Sequence, residues 1–139
     1  MSTAFAEPVG PVWHRAAMAR RPDVPPTLLA RLRPVLAAFP ECVEEDAWTG
    51  VRWRVAGRTV AHVFGGEDQL FRVTFRAEPD EVMAFRHLGE PYFVVGGNAV
   101  GLVLDDATDL QELAELLTDS YCLQAPERLV DQVQRPGTC

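Results

Sequence analysis

Arginine is the residue type in this sequence with the most capacity for chemistry. All 13 basic residues are Arg, and five of them, Arg52, Arg54, Arg58, Arg72 and Arg76, fall in one short stretch. A guanidinium presents a planar fork of donors that matches a carboxylate or a phosphate in two places at once. Arg52 and Arg54 alternate with Val51, Trp53 and Val55, while Arg72 and Arg76 alternate with Phe71, Val73 and Phe75. Successive side chains of a strand point to opposite faces, so this spacing predicts four guanidiniums on one sheet face, with Arg58 and His62 at its edge. Over residues 51–76 the five arginines exceed Glu67 and Asp68, a local +3 in a chain whose net charge is -7. Such a face can hold an anion, or it can be a solvated surface whose arginines pair with Glu44, Glu45, Asp46 or a helix carboxylate. Both readings stay open. The chain also lacks Ile altogether, and a GC-rich coding bias accounts for that and for the missing Lys, so the choice of Arg alone is no functional signal.

Other chemistries find less support. Cys42, Cys122 and Cys139 form no CxxC pair and are far apart, which predicts reduced thiols in a cytoplasmic protein. Cys122 lies between Tyr121 and Leu123 with no histidine paired to it locally, and reads as a small buried hydrophobe. His14, His62 and His87 with Asp105 and Asp106 match no metal-ligand spacing. Gly65-Gly66 and Gly96-Gly97 precede no helix and read as hairpin turns rather than phosphate loops. The expectation is therefore a protein that is not an enzyme and uses no cofactor or metal. A net charge of -7 repels a polyanion or an anionic membrane over most of the surface, so any nucleic-acid site must be a local patch. There is no basic start followed by an apolar run and no stretch of 18 apolar residues, hence no predicted export signal or membrane span.

The elements that must position these residues follow from periodicity. Residues 1–24 hold Pro8, Pro11 and Pro22, with Pro25 and Pro26 directly after, and scattered apolar residues, among them Trp13, and read as a flexible lead-in. Leu28, Leu29, Leu32, Val35, Leu36 and Phe39 make a helical stripe in which Pro34 predicts either a kink or a helix beginning only at Arg33 or Pro34. Three strands follow as an antiparallel meander, at 51–55, 58–64 and 71–76, and residues 42–45 supply a short leading strand. Pro79, Asp80 and Glu81 open a second helix and Gly89 closes it. Two further strands, 92–95 and 100–104, are joined through Gly96-Gly97-Asn98. Thr108 and Gln111 are expected to form a capping box for a helix with Leu110, Leu113, Leu117 and Tyr121 on its core stripe. Pro126 starts a last short helix, which Tyr121 is expected to lock onto the sheet edge. The fold class is α+β, in the order α-β3-α-β2-α, with helices on one face of an antiparallel sheet. A single domain is expected over 25–134 and a flexible tail over 135–139.

Four segments in this order carry a family resemblance: Phe39-Pro40 followed by Val43-Glu44-Glu45; Arg54-Val55-Ala56-Gly57-Arg58-Thr59-Val60-Ala61; Gly101-Leu102-Val103-Leu104-Asp105; and Ser120-Tyr121-Cys122-Leu123-Gln124-Ala125-Pro126. Over about residues 28–130 the chain resembles the MmcQ/YjbR family. Many relatives have Lys where this chain has Arg58, and often a Trp near Ala99. The resemblance implies a secretion-chaperone-like α+β fold and a small DNA-binding protein acting through a double-wing surface. The arginine face is where that binding is expected. The alternative is a protein-protein or chaperone-like module, including a homodimer, with no nucleic acid bound.

Overall fold

The computed structural model describes residues 21–133. Its elements are α1 (Pro26–Leu36), β1 (Val43–Asp46), β2 (Val51–Val55), β3 (Arg58–Gly65), β4 (Phe71–Arg76), α2 (Pro79–Leu88), β5 (Tyr92–Gly96), β6 (Ala99–Leu104), α3 (Leu110–Gln124) and α4 (Glu127–Val130). The six strands form one sheet in the order β1-β2-β3-β4-β6-β5, antiparallel at every junction. Pairing of β4 with β6 fuses the meander and the second strand pair, which periodicity alone leaves as separate pieces. Trp53, Val55, Val63, Val73, Phe75, Val100 and Leu102 line one face and pack with Leu32, Leu36, Leu113, Leu117 and Leu129 of the helices in a single core. Among the described residues, no helix covers the other face.

Alternation predicted this division. Trp53 is 1% exposed, and Val55, Val73 and Phe75 are buried beside it, while Arg52, Arg54, Arg72 and Arg76 are only half-buried. Phe71 departs from the pattern and stays half-buried. It begins β4, where its partner across β3 is Gly65, which has no side chain to cover it.

Local chemistry explains the boundaries. Ala56 and Gly57 both have positive φ, 51° and 80°, the combination a two-residue hairpin turn needs to follow the twist of its strands. Helix α2 has Pro79 at its first position, and Glu78 and Glu81 reciprocally cap its start. Helix α1 continues through Pro34, so the later start at Arg33 or Pro34 does not occur. Pro34 falls in the last turn, where only one i to i-4 bond is lost. The cap of α3 is Asp109 rather than Thr108: its carboxylate accepts from the Gln111 and Glu112 amides, at 3.0 and 3.1 Å. Thr108 is occupied elsewhere, with its hydroxyl accepting from the Asp105 amide.

The expected lead-in up to residue 20, with Trp13 and His14, and the tail 135–139 lie outside the described residues. Residues 21–24 lie against the domain: Val24 packs on the core, and Pro22 sits so close over Gly65 that a side chain there would collide with it. Among the described residues, no helix is long and apolar enough to cross a membrane.

Candidate binding face

Strand register lays out the open face in rows. One runs Glu45, Arg52, His62, Thr74, Gly101, Phe93 across all six strands. A second joins Phe64, Arg72 and Val103. The face depends on an irregularity in β3: Trp53 pairs with Ala61 but Arg54 pairs with Thr59, so Val60 is an extra residue. This bulge resets the alternation, and Thr59 and His62, three residues apart, reach the same face. Arg58 does not join them. It pairs with Val55, whose side is the helix-covered one, and it is exposed at the hairpin end with no partner among the described residues. The remaining four arginines form two columns, Arg52 with Arg54 and Arg72 with Arg76, separated by β3 and so about 10 Å apart.

Their partners differ. Arg52 donates to Glu45 at 2.9 and 3.2 Å, and Arg54 reaches the same carboxylate at 3.6 Å while donating to the Gly57 carbonyl at 2.5 Å. The hydrogen bond from Arg52 is the main reason the Glu45 carboxyl titrates below its ordinary range. Arg72 makes a forked ion pair with Asp68, which holds that carboxyl at about 2 and raises the guanidinium in turn. Arg76 alone of the four has no carboxylate partner among the described residues; its guanidinium donates to the neutral Asn98 Oδ1 at 3.2 Å. The alternative of intramolecular pairing is thus realised for three arginines, with Glu45 and Asp68 rather than Glu44 or Asp46. Glu44 instead takes Arg33 in a fork of 2.9 and 2.7 Å.

Beside Arg52 and Arg76 the face sinks into an open depression of about 1110 Å³. Thr59, His62, Phe64 and Thr74 lie on its floor, and Trp48 and the segment from Arg21 to Asp23 on its walls. Its size is above the range of about 300–1,000 Å³ usual for small-ligand sites. Among the described residues no group of three or more His, Cys, Asp or Glu could hold a metal ion. Cys42 is half-buried, and that burial pushes its thiol up to about 11, well away from a nucleophile's range.

The YjbR family model matches residues 37–123, more than half of the chain and all of the sheet. The chain belongs to the YjbR family. Two solved structures share the fold. One is a DUF419 domain protein from Deinococcus radiodurans, 19% identical, covering 78% of this chain and 88% of its own, with a TM-score of 0.59. The other is a protein from Pseudomonas syringae, 11% identical, covering 68% of this chain and 97% of its own, with a TM-score of 0.56. No curated protein matches.

The 120–126 run that helps mark this YjbR chain has a physical task at the face. Ser120 is fully buried; its hydroxyl donates to the Val60 carbonyl at 2.6 Å and accepts from the Arg76 amide at 2.8 Å. One turn later Gln124 donates to the Thr59 carbonyl at 2.9 Å. Helix α3 therefore holds the bulge from beneath and fixes the backbone of Arg76, the arginine without a carboxylate. Tyr121, between them, donates to Pro40 O at 2.6 Å and stacks on Phe39 at 4.7 Å. It ties down the end of the first helical segment, and it shares the core with Leu129 of the last helix. Sequence reading singled out this run without seeing what it held.

Proposed function

We propose that this YjbR-family chain is a non-enzymatic, cytoplasmic binding protein whose open sheet face takes a nucleic acid, DNA in the first instance. The observation that supports the reading is Arg76: a half-buried guanidinium with only a neutral amide partner, beside Arg52 in a depression of nucleotide scale. Phosphate oxygens are the acceptors that such a fork lacks. Arg52, Arg54 and Arg72 contribute less than their number suggests, because each must leave a carboxylate to meet phosphate. With a net charge of -7, binding must be weak at physiological salt and steeply salt-dependent.

The test is a salt series with labelled duplex and single-stranded DNA, repeated on Arg52→Glu with Arg76→Glu. Each substitution changes charge by two, so the pair takes the chain from -7 to -11. Binding that rises as salt falls, and collapses in the double variant with the fold intact, supports the reading. A parent that binds neither DNA at any salt refutes it. The second reading, a protein-docking face, is favoured by a different observation: Trp48, Val43 and Val95 are exposed on a surface whose charges are largely self-neutralised. Aromatic anchors of that kind are typical of protein interfaces.

A further inference from the structure

We infer that Trp48 is a base-stacking platform and that the ligand of the open face is single-stranded. This rests on the nucleic-acid reading above and names the form of nucleic acid. Trp48 is 88% exposed, whereas Trp53 is 1% exposed, and nothing in the core requires an indole at the tip of a turn.

The turn itself is held firmly. Ala47 donates its amide to the Gly50 carbonyl at 3.0 Å. Gly50 has φ +75° and lies so close to β3 that an added Cβ would fall 1.9 Å from the Val63 carbonyl oxygen. Only glycine permits both that conformation and that approach. His62 closes the arrangement from the sheet, its Nε2 lying 2.5 Å from the Thr49 carbonyl. With the backbone of the turn pinned, only the two side-chain torsions of the indole are left to order when a base stacks on it, which lowers the cost of binding.

Position and charge agree. Trp48 walls the same depression as Arg52 and Arg76, so a single strand lying along it can meet the indole with a base and the guanidiniums with its phosphates. The depression is lined by Arg21, Arg52 and Arg76 with Asp23 and Glu67; Arg52 is paired with Glu45, and Arg76, whose guanidinium meets only Asn98, is the sheet arginine available to a phosphate. A duplex keeps its base faces inside the stack and offers a lone indole nothing to stack on; unpaired bases offer a π-face of any sequence.

The experiment measures anisotropy of labelled oligothymidine and of a mixed-sequence duplex at low salt, with the full chain and its Trp48→Ala and Trp48→Phe variants. The side chain is exposed, so circular dichroism should show both variants folded. The expected result is that the parent prefers the single strand, that Trp48→Ala weakens oligothymidine about ten- to a hundredfold, the loss of one base stack, and that Trp48→Phe restores most of it. Duplex binding should not change with either variant. Equal oligothymidine binding by Trp48→Ala and parent, or a parent that prefers duplex, overturns the inference and leaves the nucleic-acid reading standing. A parent that binds neither probe overturns both.

Discussion

Replacing Ser120 by Ala tests whether helix α3 truly holds the β3 bulge. The hydroxyl has two buried bonds, to the Val60 carbonyl at 2.6 Å and from the Arg76 amide at 2.8 Å, and no solvent reaches it. Alanine leaves almost no cavity, so the cost is that of stranding two backbone groups. One buried unsatisfied group costs about 1–3 kcal/mol, and partial relaxation of the bulge should keep the pair near 3 kcal/mol. With a urea m-value of about 1.5 kcal/mol/M, the unfolding midpoint falls by about 2 M at unchanged m. Gln124→Ala strands only the Thr59 carbonyl and should cost about 1 kcal/mol. Because the two side chains hold consecutive carbonyls of one bulge, the double variant should lose less than the sum, with a coupling of at least about 0.5 kcal/mol. A Ser120→Ala loss below about 0.5 kcal/mol, or strict additivity with Gln124→Ala, would refute the argument: the bulge would then be held by its own strands.

Two further outcomes are expected. Tyr121→Phe keeps the stack on Phe39 and removes the bond to Pro40, so it should cost about 1 kcal/mol, while Tyr121→Ala should cost about 3–5 kcal/mol; equal losses in urea unfolding would show that the hydroxyl dominates. Asp68, held at about 2 by Arg72 against an ordinary 3.8, contributes stability that is present above the ordinary value and lost as pH falls through the lower one. Between those two pH values the thermal midpoint of Asp68→Asn should fall less steeply than the parent's, and parallel curves would show the ion pair to be without consequence.

What the sequence disclosed, and what it hid, follows from the range of each interaction. Strands β2 and β4 were legible because polar and apolar residues alternate strictly in them, and α2 because Pro79 and Gly89 mark its ends. The bulge was not legible: Val60, Ala61 and Val63 are all apolar, so a change of phase among them leaves no trace in the pattern. Nor was the fate of the arginines, since Glu45 meets Arg52 only through the β1–β2 pairing and Asp68 meets Arg72 through the shape of the β3–β4 loop. The pattern pointed to Thr108 as the cap of α3, but its hydroxyl accepts from the Asp105 amide, and the cap falls to Asp109. Trp48 carried no signal in the sequence because exposure of a loop residue is set by what the loop packs on, and here Gly50 packs its turn against Val63 and His62 of β3, remote in the chain.

The extra residue in β3 also determines where this chain can change length. Without Val60, Thr59 and Ala61 become neighbours, and the pairings Arg54 with Thr59 and Trp53 with Ala61 become consecutive rungs of an unbroken ladder. Every other side chain keeps its face. Removal of Val63 instead would turn one half of the strand over, sending apolar residues to the open side and polar ones into the core. Position 60 is therefore a natural point for a one-residue difference between proteins of this fold, provided the residue at 120 changes with it, since a serine there would lose the carbonyl it serves.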